Sequence, residues 1–130
     1  TRGGLTPALM ISHYTGIPMY TLDVRLRDYE EDGSPPEHNL WMSEDVHNRN
    51  KKVLIVDDIN DSGATFNWIV KDWELTPESN VKFASIVDNL SSDFGGVNYH
   101  AVELNKAEDN VWIVFPWEEW WGVNYLERSN

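Results

Sequence analysis

The sequence predicts an α/β protein: a mostly parallel, twisted sheet flanked by helices, in one domain over residues 1–130. Three observations carry this. The stretch KKVLIVDDINDSGATF, residues 51–66, joins an apolar run to two carboxylates, a loop of small residues and a helical pattern. Two further runs of strand length, residues 82–88 and 98–104, follow it. A helix start, Thr6-Pro7, stands near the beginning.

Taken in order, Thr6 reads as an N-cap with Pro7 at the first helical position, and the helix runs to about Tyr14 and stops at Gly16. Residues 17–26 read as a strand, with Pro18 at its start, where no mid-strand donor is lost. Residues 27–50 are polar, contain Gly33-Ser34-Pro35-Pro36 and show no convincing periodic element. An insert of this length in a compact domain is usually a functional lid or disordered. Arg25 and Arg27 at its base can neutralise phosphate or pair with nearby acids; its His38, Trp41 and His47 receive no catalytic role. Val53, Leu54, Ile55 and Val56 form the next strand, which an apolar run of this kind places under cover on both faces. The helix from Phe66 to Trp73 puts Phe66, Ile69, Val70 and Trp73 on one core-facing side. Residues 89–97 read as a polar loop containing Gly95-Gly96.

The chemistry concentrates after Val56. In an open α/β sheet, ligands bind at the carboxyl ends of the strands. Ser62, Gly63, Ala64 and Thr65 are small and lead into a helix N-terminus, whose free N–H groups and dipole make a phosphate cradle. Gly63 can take a positive φ and admit an anion close to the backbone. Asp57 and Asp58 can accept hydrogen bonds from sugar hydroxyls or help hold a hydrated divalent metal. Asp61 lies within the loop and can face whatever lies beyond the sugar. A strand ending in Asp-Asp also occurs in Walker B segments, but the chain has no G-x-x-x-x-G-K-[ST]. A phospho-receiver domain starting near Val53 would be short and would leave the small-residue cradle unexplained.

VLIVDDINDSGAT resembles the phosphoribosyl-pyrophosphate (PRPP) signature of the type I phosphoribosyltransferases over thirteen consecutive positions. RGGLTPA resembles the pyrophosphate-binding loop of the purine-specific members. There the resemblance implies that Arg2 and the amides of Gly3 and Gly4 hold the pyrophosphate of PRPP. In that family a core strand precedes this loop, so the resemblance leads us to expect a strand missing from the N-terminal side of this chain. The family also carries, at the position of residues 27–50, a flexible loop that closes over the reacting centre.

Residues 111–118, VWIVFPWE, resemble the Trp-Ile-x-x-Pro-Trp-acid segment of the xanthine–guanine enzymes. The resemblance makes residues 105–130 a small purine-binding hood, with Trp112 as stacking platform, Ile113 as a backbone contact and Glu118 as an acid near the metal and pyrophosphate. It narrows the family to the xanthine–guanine and hypoxanthine phosphoribosyltransferases. One position departs. Where those enzymes carry a lysine that reads the purine O6, this chain has Asn89, which can donate to an oxo group or accept from an amino group. Nothing in the sequence makes a neighbouring lysine such as Lys106 a good substitute.

A hydrophobic content of 41% with seven tryptophans supports a packed core, and no run of about eighteen apolar residues suggests a membrane span. There is no cysteine, hence no disulfide or thiolate chemistry, and cytoplasmic residence is the default. A net charge of −12 argues against a general nucleic-acid binder. It also means that Mg²⁺, backbone amides and a few local arginines must offset the field around an anionic substrate. The resemblance implies a Mg²⁺-dependent transfer of phosphoribose from PRPP to a purine base, releasing pyrophosphate, by a homo-oligomer, dimer or tetramer; Trp120 and Trp121 can serve an interface or equally fold back on the core. In that transfer Asp57 and Asp58 hold ribose and metal shell, residues 61–65 bind the 5′-phosphate, and Asp61 orients or accepts the purine N7 proton. A PRPP- or nucleotide-sensing protein without turnover, and a transferase acting on a pyrimidine, are the other readings.

Overall fold

The computed structural model describes residues 3–24 and 40–118. Arg2, Arg25, Arg27, His38, Trp120 and Trp121, the first part of the expected lid and the end of the expected hood lie outside the described residues.

Three parallel strands form the sheet in the order β1-β2-β3: β1 Val53–Asn60, β2 Val81–Asn89 and β3 Tyr99–Leu104. Helix α3, Ala64–Asp72, joins β1 to β2 and packs Phe66, Ile69 and the following Trp73 against Ile55 and Phe83. Those three side chains are buried at the helical spacing read from the sequence, each contributing about 1.5–3 kcal/mol of apolar transfer. Helix α1, Leu5–Thr15, ends on Gly16 in the left-handed region, whose N–H reaches Ser12 O at 2.8 Å. Its cap is Gly4 rather than Thr6, which places Pro7 in the first turn, where a helix needs no N–H from it.

Three expectations are corrected. Residues 17–24 do not form a strand. They lie across an apolar cavity of about 610 Å³ from β1, which keeps them from pairing with its outer edge. Because its outer edge borders that cavity, β1 is not covered throughout: Ile55 is buried, whereas Leu54 is half-exposed. Within the stretch read as structureless, Leu40–His47 is a helix, α2. Three of its four apolar residues, Leu40, Trp41 and Met42, are consecutive at its start, and Val46 alone of the four is buried, so no stripe announced it. Its Asp45 is held by Arg49 and by Lys51, which lower its carboxyl below the ordinary range. The Lys51 amide donates to Asp45 O at 3.1 Å, tying the helix to the entry of β1.

The return from β2 to β3 decides the shape of the site. A parallel pair usually needs a crossover of a dozen or more residues. Here residues 90–98 suffice, because Phe94 packs on Phe66 and Phe83, with ring centroids 5.2 and 4.9 Å away, and anchors the loop to the core. Asn98 then pairs with Phe83 through two 2.8 Å bonds and starts β3 in register, with Leu104 opposite Asn89.

Candidate active site

β1 runs on through both carboxylates to Asn60, so the loop is shorter than the sequence suggested and Asp57 and Asp58 are strand residues. Asp57 is 7% exposed; burial, reinforced by neighbouring Asp58, raises its carboxyl to about 7. Its Oδ1 accepts the Asp58 N–H at 2.9 Å, and Asp58 Oδ1 accepts the Ile59 N–H at 2.8 Å.

The expected pyrophosphate loop lies on this strand end. A Cβ on Gly3 would overlap the Asp58 carboxylate, and one on Gly4 would overlap the Val56 carbonyl. Only glycine permits this approach, which brings the N-terminus of α1 against the carboxylates.

The backbone expected to form the phosphate cradle has this geometry: Gly63 caps α3 at φ +89°, the Ala64 N–H goes to Ser62 Oγ at 3.2 Å, and the Thr65 and Phe66 amides have no partner within the helix. A small cleft of about 80 Å³ is lined by Asp57 and by residues 59–66. The much larger cavity beside β1 reaches Gly4 and Asp57, but its walls are mainly apolar, and the residues expected to bind an anion line the small cleft.

Asn60, buried beneath the loop, is a residue that sequence reasoning passed over. Its Nδ2 lies 2.9 Å from Asp88 Oδ1, Ser92 Oγ and Phe94 O, and thus joins β1 to the return loop. Asp93 N donates to Ser62 O at 3.0 Å, and Asn67 Nδ2 to Asp93 O at 3.2 Å. The cradle is therefore braced from behind by residues 90–98.

Asp61 opens toward the hood. Lys106 Nζ donates to Asp61 Oδ2 at 2.9 Å and stands 5.7 Å from the centre of the Trp112 ring. Trp112 is 84% exposed, an uncovered indole beside charged groups. Asn89, 5% exposed, donates to Asp61 O at 3.0 Å and Oδ1 at 3.4 Å. Its Oδ1 accepts from Ser91 N, Ser91 Oγ and Lys106 N at 3.2, 2.9 and 3.0 Å. Lys106, which the sequence gave no reason to favour, thus stands among the expected site residues. The available signal was register: Leu104 opposite Asn89 places Lys106 just past the carboxyl end of β3.

Contacts thus link Gly3, Gly4, Asp57, Asp58, the loop from Asp61 to Thr65, Asn89 and Trp112 along one side of the sheet. Ile113 is half-buried beside Trp112, and Glu118 lies on the short 3₁₀ turn Pro116–Glu118, behind Phe115 and Trp117, which stack at 4.8 Å. Among the described residues no three acidic or histidine side chains converge as a metal cage, so Glu118 does not complete one with Asp57 and Asp58. The two carboxylates alone still fit Mg²⁺, which commonly takes one or two carboxylates and fills its shell with water and substrate phosphates.

A parallel sheet with a polar cleft at the carboxyl end of β1 is the arrangement of ligand-binding α/β proteins. The chain belongs to the phosphoribosyl transferase family: the model of the phosphoribosyl transferase domain matches residues 1–121. It is 28% identical over 128 residues to a xanthine-guanine phosphoribosyltransferase of Cereibacter sphaeroides, covering 98% of this chain and 70% of that one. Its fold matches a purine phosphoribosyltransferase from Pyrococcus horikoshii with a TM-score of 0.65 and 29% identity, over 92% of this chain and 73% of the other. A Helicobacter pylori xanthine-guanine-hypoxanthine phosphoribosyltransferase shares the fold, with a TM-score of 0.58 and 20% identity over 98% and 75% of the two chains. No described helix is long and apolar enough to cross a membrane.

Proposed function

We propose that this chain is a Mg²⁺-dependent purine phosphoribosyltransferase, which converts PRPP and a purine base to a nucleoside 5′-monophosphate and pyrophosphate. The observation that carries this is the continuity of the site: paired glycines, two carboxylates, a backbone anion cradle and an exposed indole follow one another along the strand ends. That order matches pyrophosphate, ribose, 5′-phosphate and base.

In this reading the first-turn amides of α3 and the loop N–H groups hold the 5′-phosphate. Asp57 and Asp58 accept the ribose hydroxyls and would hold a hydrated Mg²⁺, which would supply charge neutralisation at the pyrophosphate. The Gly3 and Gly4 amides, with Arg2, receive the leaving group. A purine nitrogen bonds to C1 as the C1–O bond to pyrophosphate breaks, with inversion. Asp61, 46% exposed and anchored on one side by Lys106, has lone pairs left to orient or accept the proton at the purine N7. Positive charge develops on the ribose, so catalysis consists mainly of positioning and charge stabilisation. Cytosolic residence and assembly into a dimer or tetramer belong to the same reading, and light scattering tests the latter.

The decisive experiment incubates the protein with PRPP, Mg²⁺ and, separately, guanine, hypoxanthine, xanthine and adenine, and separates the products by chromatography. A purine monophosphate supports the reading, and Asp61→Asn should then bind PRPP normally but turn over slowly. PRPP binding without product from any base would favour a sensing protein instead.

A further inference from the structure

We infer that the short return loop, residues 90–98, is a positioning element for phosphate binding, and that Asn60 and Asn67 are the two side chains that fix it. This rests on the phosphoribosyl-transfer reading above and adds to it the residues that aim the phosphate-binding backbone.

Asn60 stands at the end of β1, opposite Asp88 in the parallel register, where the strand ladder already joins β1 to β2. Its side chain does more than repeat that pairing. It is 3% exposed, and Nδ2 lies 2.9 Å from three acceptors, of which Ser92 Oγ and Phe94 O belong to the loop. The Ser92 hydroxyl also donates to Phe94 O and accepts from Phe94 N, both at 3.0 Å, so the loop turns tightly around this one amide. A buried side-chain amide is costly without partners, and the loop supplies two of the three.

The loop in turn holds the backbone expected to bind phosphate. Asp93 N donates to Ser62 O at 3.0 Å, and Asn67 Nδ2 donates to Asp93 O at 3.2 Å, so Asp93 is gripped from the cradle and from α3. A trans peptide points its carbonyl and its N–H in opposite directions. With its oxygen drawn to Asp93, the Ser62–Gly63 peptide turns the Gly63 N–H away from the loop, toward the small cleft that both residues line. Phe94 stands directly behind: a Cβ on Gly63 would come within 2.6 Å of Phe94 N. The peptide therefore cannot swing back unless the loop moves. A donor held in its binding direction costs less to order when an anion arrives, and hydrogen bonds to an anion depend on that alignment.

The test uses wild type, Asn60→Ala, Asn67→Ala and Asn67→Gln. Binding of guanosine monophosphate and of guanosine is measured by calorimetry, and KM is measured for PRPP and for the purine base. Asn67 is exposed, so Asn67→Ala should fold with stability within about 0.5 kcal/mol of wild type. Asn60→Ala should weaken the monophosphate about tenfold, the order of one hydrogen bond to a charged group, and Asn67→Ala about threefold. Guanosine binding should stay within about twofold, and KM should rise for PRPP but not for the base. Asn67→Gln, whose amide can still reach Asp93 O, should recover most of the loss. If Asn60→Ala does not fold, the two Asn67 variants decide by the same comparison. Equal losses for guanosine and its monophosphate would show that the loop only supports the fold, and unchanged monophosphate binding would remove it from phosphate recognition; either overturns this inference alone. A wild-type protein that binds neither PRPP nor the monophosphate would overturn the functional reading, and this inference with it.

Discussion

Replacing Asp57 by asparagine should stabilise the protein at high pH and flatten part of its pH dependence. Burial, with the charge of Asp58 beside it, raises the Asp57 carboxyl from the ordinary 3.8 to about 7 in the folded chain. The folded protein therefore binds a proton that the unfolded chain has released across that interval, and stability falls as pH rises through it. At about 1.36 kcal/mol per pH unit the whole interval amounts to on the order of 4 kcal/mol, of which about 2–3 kcal/mol falls between pH 5 and pH 8. Asparagine is neutral throughout, and its side-chain oxygen can keep the hydrogen bond from the Asp58 amide. Urea unfolding of both proteins at pH 5, 6.5 and 8, in buffer with chelator, measures the difference directly. The variant should gain on wild type progressively from pH 5 to pH 8. A constant difference, or one that shrinks with pH, would refute the argument that burial destabilises this charge. A cation bound beside Asp57 would favour its ionised form and so reduce this pH dependence.

Three other outcomes follow from the geometry. Gly63→Ala places a side chain at φ +89° with its Cβ 2.6 Å from the Phe94 amide nitrogen, so it should lower stability by about 1–3 kcal/mol and weaken nucleotide binding, read by thermal melting with and without guanosine monophosphate. Asn60→Ala leaves the Asp88 carboxylate, the Ser92 hydroxyl and the Phe94 carbonyl without their shared donor, and should cost about 1–3 kcal/mol or more in urea unfolding; a change below about 0.5 kcal/mol would mean that the loop is not braced there. Trp112→Ala removes an exposed side chain, so stability should stay within about 0.5 kcal/mol. Purine binding should fall by about 1–3 kcal/mol while PRPP binding holds, and calorimetry with each ligand separates the two.

The central unit was legible because its signals are local. An apolar run, two carboxylates, a glycine at the loop and apolar residues at helical spacing specify β1, the cradle and α3 without reference to the rest of the chain. The observed boundaries moved by only a few residues, and Gly3 and Gly4 lie so close to Asp58 and Val56 that a side chain at either would overlap them. Helix α2 escaped notice because its formation rests on a few contacts, Val46 in the core and Asp45 held by Arg49 and Lys51, rather than on an apolar stripe. Residues 17–24 carry a strand-like composition, but strand formation depends on a partner at hydrogen-bonding distance, and a cavity intervenes. Asn89 and Lys106 are separated in sequence by an entire loop and strand. The pairing of β3 along β2, made possible by Phe94 pinning a short return, brings them together and turns Asn89 inward while lifting the Lys106 ammonium to Asp61 and Trp112. The sequence by itself thus determined the class of chemistry, because an anion cradle is written in adjacent residues. The tertiary structure alone decided that the Lys106 ammonium stands between Asp61 and Trp112, because a charge is placed by the packing of strands and not by its position along the chain.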